Sequence, residues 1–143
     1  MLRMDMTARG LTVGQLARQA GVGVPTIRFY ERRRLLPKPP RRASGYRDYP
    51  ADAVRRVRFI RHAQELGFSL REVAELLSLS MDPKSSCADV RTRAAEKLAD
   101  IDAKAASLKR MRKVLRDLMD TCPGDGPAEI CPILRAIDDE SRR

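Results

Sequence analysis

From Cys87 or Ala88 to about Asp120 the sequence reads as one helix of about thirty residues. Apolar residues recur at Val90, Ala94, Leu98, Ile101, Ala105, Leu108, Met111, Leu115 and Leu118. The spacing mixes steps of three and four, close to a heptad pattern with one short step near Met111. At the helical rise such an element is about 45 Å long, too long to bury its stripe against one small domain. A lone solvated helix would leave the whole stripe wet. The pattern therefore predicts a homodimer in which the same stripe on a second copy packs as an antiparallel or parallel pair.

What precedes this helix differs from it in charge. Residues 1–80 hold 16 Lys and Arg against 7 Asp and Glu, whereas residues 81–143 hold 13 against 12. Nearly all of the formal +10 of the 143-residue chain thus lies in the first half. A basic half joined to a near-neutral half points to a polyanion-binding module, although membrane surfaces attract such patches too. No run approaches the 18 apolar residues of a bilayer span, and MLRMDMTARGLT lacks the apolar stretch of a secretory signal. The expected compartment is the cytosol, where three cysteines stay as free thiols.

The local signals predict a mainly α chain. After a flexible N-terminus, residues 1–11, Thr12 and Gln15 form a capping box that opens a helix from Val13 to Ala20, with Val13, Leu16 and Ala17 inward. Gly21 supplies a left-handed stop, and a second helix runs from about Val24 to Arg34, with Pro25 in its first turn. On it Ile27 and Tyr30 or Glu31 are expected on different sides. The proline-rich LLPKPPRRASGYRDY suits a small basic hairpin, or wing, turning at Ser44-Gly45. Pro50 opens a third helix to about Leu66, bearing Val54, Val57, Phe59, Ile60 and Ala63. Ser69 and Glu72 form a second capping box for a helix to about Leu79. Residues 12–80 read as a winged helix-turn-helix domain and 87–120 as the dimerisation helix. Residues 121–143 form a loop rich in Gly and Pro, followed by a short helix around Ile133, Leu134 and Ile137.

PTIRFYERRRLL in the second helix, GYRDY at the end of the wing, and RFIRHAQELGFSLREVAELL together resemble the MerR family of transcription regulators. The agreement covers residues 12–80 in order and spacing, and continues more loosely through the long helix. The resemblance implies homodimers with antiparallel long helices. It also implies an operator within a long promoter spacer, and DNA that is bent and untwisted for RNA polymerase when the effector binds. In such a domain the second helix can lie in the major groove with Thr26 and Arg28 toward base edges or phosphates. Tyr30 can offer its hydroxyl to a phosphate, and Arg47 and Tyr49 can reach flanking backbone from the wing. Arg18, Arg55 and Arg58 are further phosphate candidates, whereas Phe29 is expected in the core.

The cysteines add a sensor. Cys87 starts the long helix, and Cys122 and Cys131 flank the loop at its end, so one chain holds Cys87 and Cys122 about 50 Å apart. An antiparallel partner brings its own Cys87 beside Cys122 and Cys131, giving two sites per dimer. The intervals of 34 and then 8 intervening residues are those of the family's mercury sensors, and lead-sensing relatives share them. Cys87 argues against the family's copper(I) sensors, which carry serine there, and no tight cysteine cluster suggests an iron–sulfur centre. Three thiolates without histidine suit a large thiophilic cation, hence Hg(II) as effector. Asp125 or Glu129 could complete a Zn(II) or Cd(II) shell, so these ions and Pb(II) stand as alternatives. His62, on the third helix, is a surface or packing residue.

The function these features predict is a metal-responsive regulator of a metal-resistance operon that switches from repression to activation. The rival from another class is a metal-sequestering protein without an operator. No enzyme is expected, because one histidine and scattered carboxylates assemble no nucleophile, base and oxyanion donors.

Overall fold

The computed structural model describes residues 10–41 and 48–139. The wing tip at Ser44-Gly45, Arg47 and residues 1–9 lie outside the described residues. Among the described residues six α-helices follow one another: α1 Val13–Ala20, α2 Val24–Arg32, α3 Asp52–Glu65, α4 Leu70–Met81, α5 Cys87–Thr121 and α6 Pro132–Asp138. A single 3₁₀ turn, Ala128–Ile130, precedes α6. Among the described residues the extended structure is limited to isolated bridges, such as Leu11 antiparallel to Tyr49. Leu11 and Gly10 are therefore pinned rather than loose, since Leu11 exchanges backbone hydrogen bonds with Tyr49 and the Gly10 amide donates to Asp48 Oδ1 at 3.1 Å.

The first compact unit ends at Lys97. Both expected capping boxes are present. Thr12 Oγ1 accepts from the Gln15 amide at 3.2 Å while Gln15 Oε1 accepts from the Thr12 amide at 2.9 Å. Ser69 and Glu72 repeat the arrangement at the start of α4. Gly21 ends α1 with φ 72°. A third box was not anticipated: Ser86 and Asp89 cap the start of α5, the Ser86 amide donating to Asp89 Oδ2 at 2.8 Å. The Ser-x-x-Asp spacing that signals it is visible in the sequence.

The core of this unit gathers Leu16, Ile27, Leu35, Leu36, Tyr49, Val57, Ile60 and Val73 from α1 to α4 and both ends of the wing segment. On α2, Ile27, Tyr30 and Glu31 are all buried, so they share one face rather than opposite sides. Their i, i+3, i+4 spacing puts them there. Arg56, an unexpected core member, donates from Nε to the Leu35 carbonyl at 2.7 Å. Burial of a guanidinium is tolerable only with such partners.

The second unit, from Leu98, comprises the rest of α5, the loop, the 3₁₀ turn and α6. Its helix is continuous and almost bare. Leu98, Ile101, Leu108, Met111 and Leu115 are exposed. Leu118, expected on the stripe, is instead only 8% exposed, and its neighbour Met119 is 67% exposed. Met119 thus takes the open position on that face.

Candidate functional site

Helix α2 turns its buried face inward and leaves Pro25, Arg28 and Arg32 outward, with Thr26 half-buried in its first turn. Arg18 on α1 and Arg55 on α3 are exposed. Arg58 is exposed as well, but its Nη2 donates to the Gln19 carbonyl at 2.6 Å. Arg61 donates from Nη1 to the carbonyls of Ala20 and Gly21 at 3.1 and 3.0 Å. These two arginines cap the C-terminal end of α1, where partial negative charge favours cations. Part of the basic excess is therefore spent on joining α3 to α1.

The two tyrosines take a different role from the one expected of them. Tyr30 is 3% exposed and its hydroxyl donates to Gln64 Oε1 at 2.8 Å. Burial pushes its phenol above the ordinary value, against the opposing pull of Arg61. Tyr49 is fully buried, and its hydroxyl donates to Glu31 Oε1. Both belong to the core, because a buried ring brings its polar tip to a buried partner. Neither hydroxyl stands free for a phosphate. Phe29 is half-buried against the core, as expected of it, and also carries the guanidinium groups of Arg32 and Arg33 at 6.0 and 5.5 Å from its ring centroid.

The cysteines occupy both ends of the long helix. Cys87 is the first residue of α5 and is exposed. Cys122 follows the helix directly, and the loop to Cys131 contains Gly124 and Gly126 at φ 79° and 90°. Only glycine accepts those left-handed values without strain, so the tight return rests on them. The return places the Cys131 thiol under the influence of the Leu134 and Ile133 amides at the start of α6, and of the Cys122 thiol. Those groups, the Leu134 amide foremost, hold the Cys131 thiol below the usual thiol range despite partial desolvation. A thiol so placed is a ready source of thiolate, the form that binds metal. Among the described residues no three His, Cys, Asp or Glu side chains gather into a metal-holding group within one chain. Asp125 is exposed in the loop, Glu129 on the 3₁₀ turn, and His62 on α3.

Residues 11–80 match the MerR HTH family of regulatory proteins, and residues 54–118 match the MerR DNA-binding region. The mercuric resistance operon regulatory protein of Serratia marcescens is 41% identical over 137 residues, covering 96% of this chain and 94% of its own length. The chain belongs to the MerR family. Membership makes it a DNA-binding transcription regulator rather than an enzyme, and removes the metal-sequestering alternative. Two solved structures are similar across nearly their whole length. PbrR691 from Ralstonia metallidurans CH34 in complex with lead(II) has a TM-score of 0.79 and 30% identity, covering 89% of this chain and 98% of that one. MerR from Bacillus megaterium MB1 in complex with mercury(II) has a TM-score of 0.69 and 36% identity, covering 90% and 100%. No helix among the described residues is long and apolar enough to cross a membrane.

Proposed function

We propose that this MerR-family protein binds promoter DNA as an antiparallel homodimer and switches from repression to activation when Hg(II) is held by three thiolates. Cys122 and Cys131 of one subunit and the partner's Cys87 are the ligands. The observation that carries this reading is the symmetry of the open stripe on α5. A two-fold axis midway between Lys104 and Ala105 would set Ile101 against Leu108, Leu98 against Met111, Ala94 against Leu115 and Val90 against Met119. Every one of these pairs is apolar. The same axis sets Cys87 against Cys122, so one register satisfies the hydrophobic stripe and the cysteine spacing together.

The donor set fits the ion. Three sulfur donors, one of them already favoured as thiolate, match a soft cation, while a structural zinc normally takes four ligands. The likeness to a mercuric resistance regulator supports Hg(II), and the likeness to a lead(II) complex keeps Pb(II) as the second reading. Cd(II) and Zn(II) follow behind it, through an added carboxylate from Asp125 or Glu129. Capture by the thiols ties the loop after one α5 to the start of the other. The two DNA-binding units then shift relative to each other and deform the operator centre, where shape rather than base contact is read. RNA polymerase gains the promoter in that deformed state.

Mixed dimers test the scheme. A Cys87→Ser subunit paired with a Cys122→Ser/Cys131→Ser subunit retains one complete set across the interface and none within either chain. Such heterodimers should bind one Hg(II) with three-thiolate charge-transfer absorption, and each parent homodimer should show none. Three-thiolate absorption from either homodimer would refute the shared site. Repeating the titration with Pb(II), Cd(II) and Zn(II), and reading transcription from the cognate promoter, ranks the metals.

A further inference from the structure

Five described residues have left-handed backbone conformation. Four are glycines, and the fifth is Arg34 at φ 59°. It sits just past the end of α2, where the Leu35 amide donates to the Tyr30 carbonyl at 2.9 Å and the Arg34 amide to the Glu31 carbonyl at 3.0 Å. That pair of bonds is the Schellman closure of a helix, whose left-handed position glycine normally fills. A side chain there crowds its own carbonyl oxygen, a cost that glycine escapes. Arginine at this place relaxes nothing in the fold. Its side chain is exposed, and among the described residues neither the Arg34 guanidinium nor the Lys38 ammonium has a hydrogen-bonding or ion-pairing partner.

The surroundings indicate a use for it. Arg32, Arg34 and Lys38 border an open surface depression of about 480 Å³, floored by Leu36 and Pro37. The one carboxylate lining it, Glu31, is buried and already accepts the Tyr49 hydroxyl. The depression lies between the end of α2, which carries exposed Arg28, and the first residues of the wing. A planar guanidinium beside an ammonium in a shallow basic hollow suits the paired oxygens of a phosphodiester.

We infer that Arg34, with Arg32 and Lys38, clamps a DNA backbone phosphate at the junction of α2 and the wing, and that the left-handed strain at Arg34 is kept for this contact. This rests on the DNA-binding reading given above, and the test separates the two. The full-length protein is first used to select duplexes from a random-sequence library. Wild type and two variants are then titrated on the enriched duplex over a range of salt, and melted without DNA. Arg34→Gly should raise the melting temperature by a few degrees, since the strain is relieved. It should also weaken DNA binding roughly five- to tenfold and reduce the salt slope by about one counterion-release unit, with random duplex affected alike. Arg34→Gln, which keeps a non-glycine residue in place, should lose the same affinity with the melting temperature unchanged. Both variants binding as tightly as wild type, with the same salt slope, would overturn the phosphate clamp alone. Failure of the wild type to enrich any duplex would instead overturn the regulator reading.

Discussion

The unit up to Lys97 and the outer length of α5 obey different rules of stability. In the first, four short helices are each capped or stopped by local chemistry and converge on a sealed core in which Leu16, Ile27, Val57, Ile60 and Val73 are fully buried. In the second, a helix of similar apolar content leaves Leu98, Leu108, Met111 and Leu115 more than half exposed. Apolar area contributes about 25 cal/mol per Å² only once it is removed from water. One region therefore holds its own stabilising contacts, and the other leaves an apolar face open to water, half of the proposed interface. In the proposed dimer this division would leave each DNA-binding unit its own core, while the connection between the two units is built from a pairing of two chains.

The largest effect should come from breaking that pairing. Ile101→Glu places two carboxylates at the centre of the proposed interface, and burying unpaired charge costs about 3–5 kcal/mol. The dimer should dissociate at micromolar concentration in sedimentation equilibrium, and operator binding should fall by at least about a hundredfold with the avidity of two linked heads. A variant that stays dimeric with normal DNA affinity would remove the distinction between the regions. Ile60→Ala addresses the other side of the comparison. Its side chain is fully buried, so truncation should cost about 2–5 kcal/mol in denaturant unfolding of the reading head. Its effect on dimer dissociation should be small, because distant sites act nearly independently.

Much of this contrast is written locally. Capping boxes at Thr12 and Ser69, the stop at Gly21 and the heptad steps of α5 depend on residues within a turn or two, and they appear where the sequence places them. The end of α2 at Arg32, two residues short of expectation, depends on the unmarked left-handed turn at Arg34. Longer-range pairings are harder to read. Tyr30 and Tyr49 look like surface phenols until Gln64 and Glu31, 34 and 18 residues away, accept their hydroxyls. Arg56 is indistinguishable by type from Arg55 and Arg58, and only the fold assigns it to the Leu35 carbonyl. The loop between Cys122 and Cys131 is legible too, because two glycines and two prolines within five residues break any helix there.

The smallest effect concerns the place where α5 is fastened to α4. Lys97 Nζ lies 2.8 Å from Glu72 Oε1 and 5.7 Å from the Phe68 ring centroid, and Arg93 reaches Glu75 at 3.3 Å. Glu72 is the acidic member of the α4 capping box, and the Lys97 ammonium foremost, then the Ser69 amide, draw its carboxyl down from 4.5 to about 2. A carboxylate whose pKa is lower folded than unfolded contributes its stability above the unfolded value and loses it as pH falls through the folded one. The fastening should therefore be complete above about pH 4.5 and fade between there and about pH 2. Glu72→Gln preserves the capping geometry, since glutamine serves at that position, but removes the charge facing Lys97. The gap in melting temperature between wild type and variant should be modest and constant from pH 6 to 8, and should close as the solution is acidified through that window. A gap that persists undiminished at the acid end would mean that the α4–α5 junction within the first unit rests on packing rather than on this ion pair, as the core does.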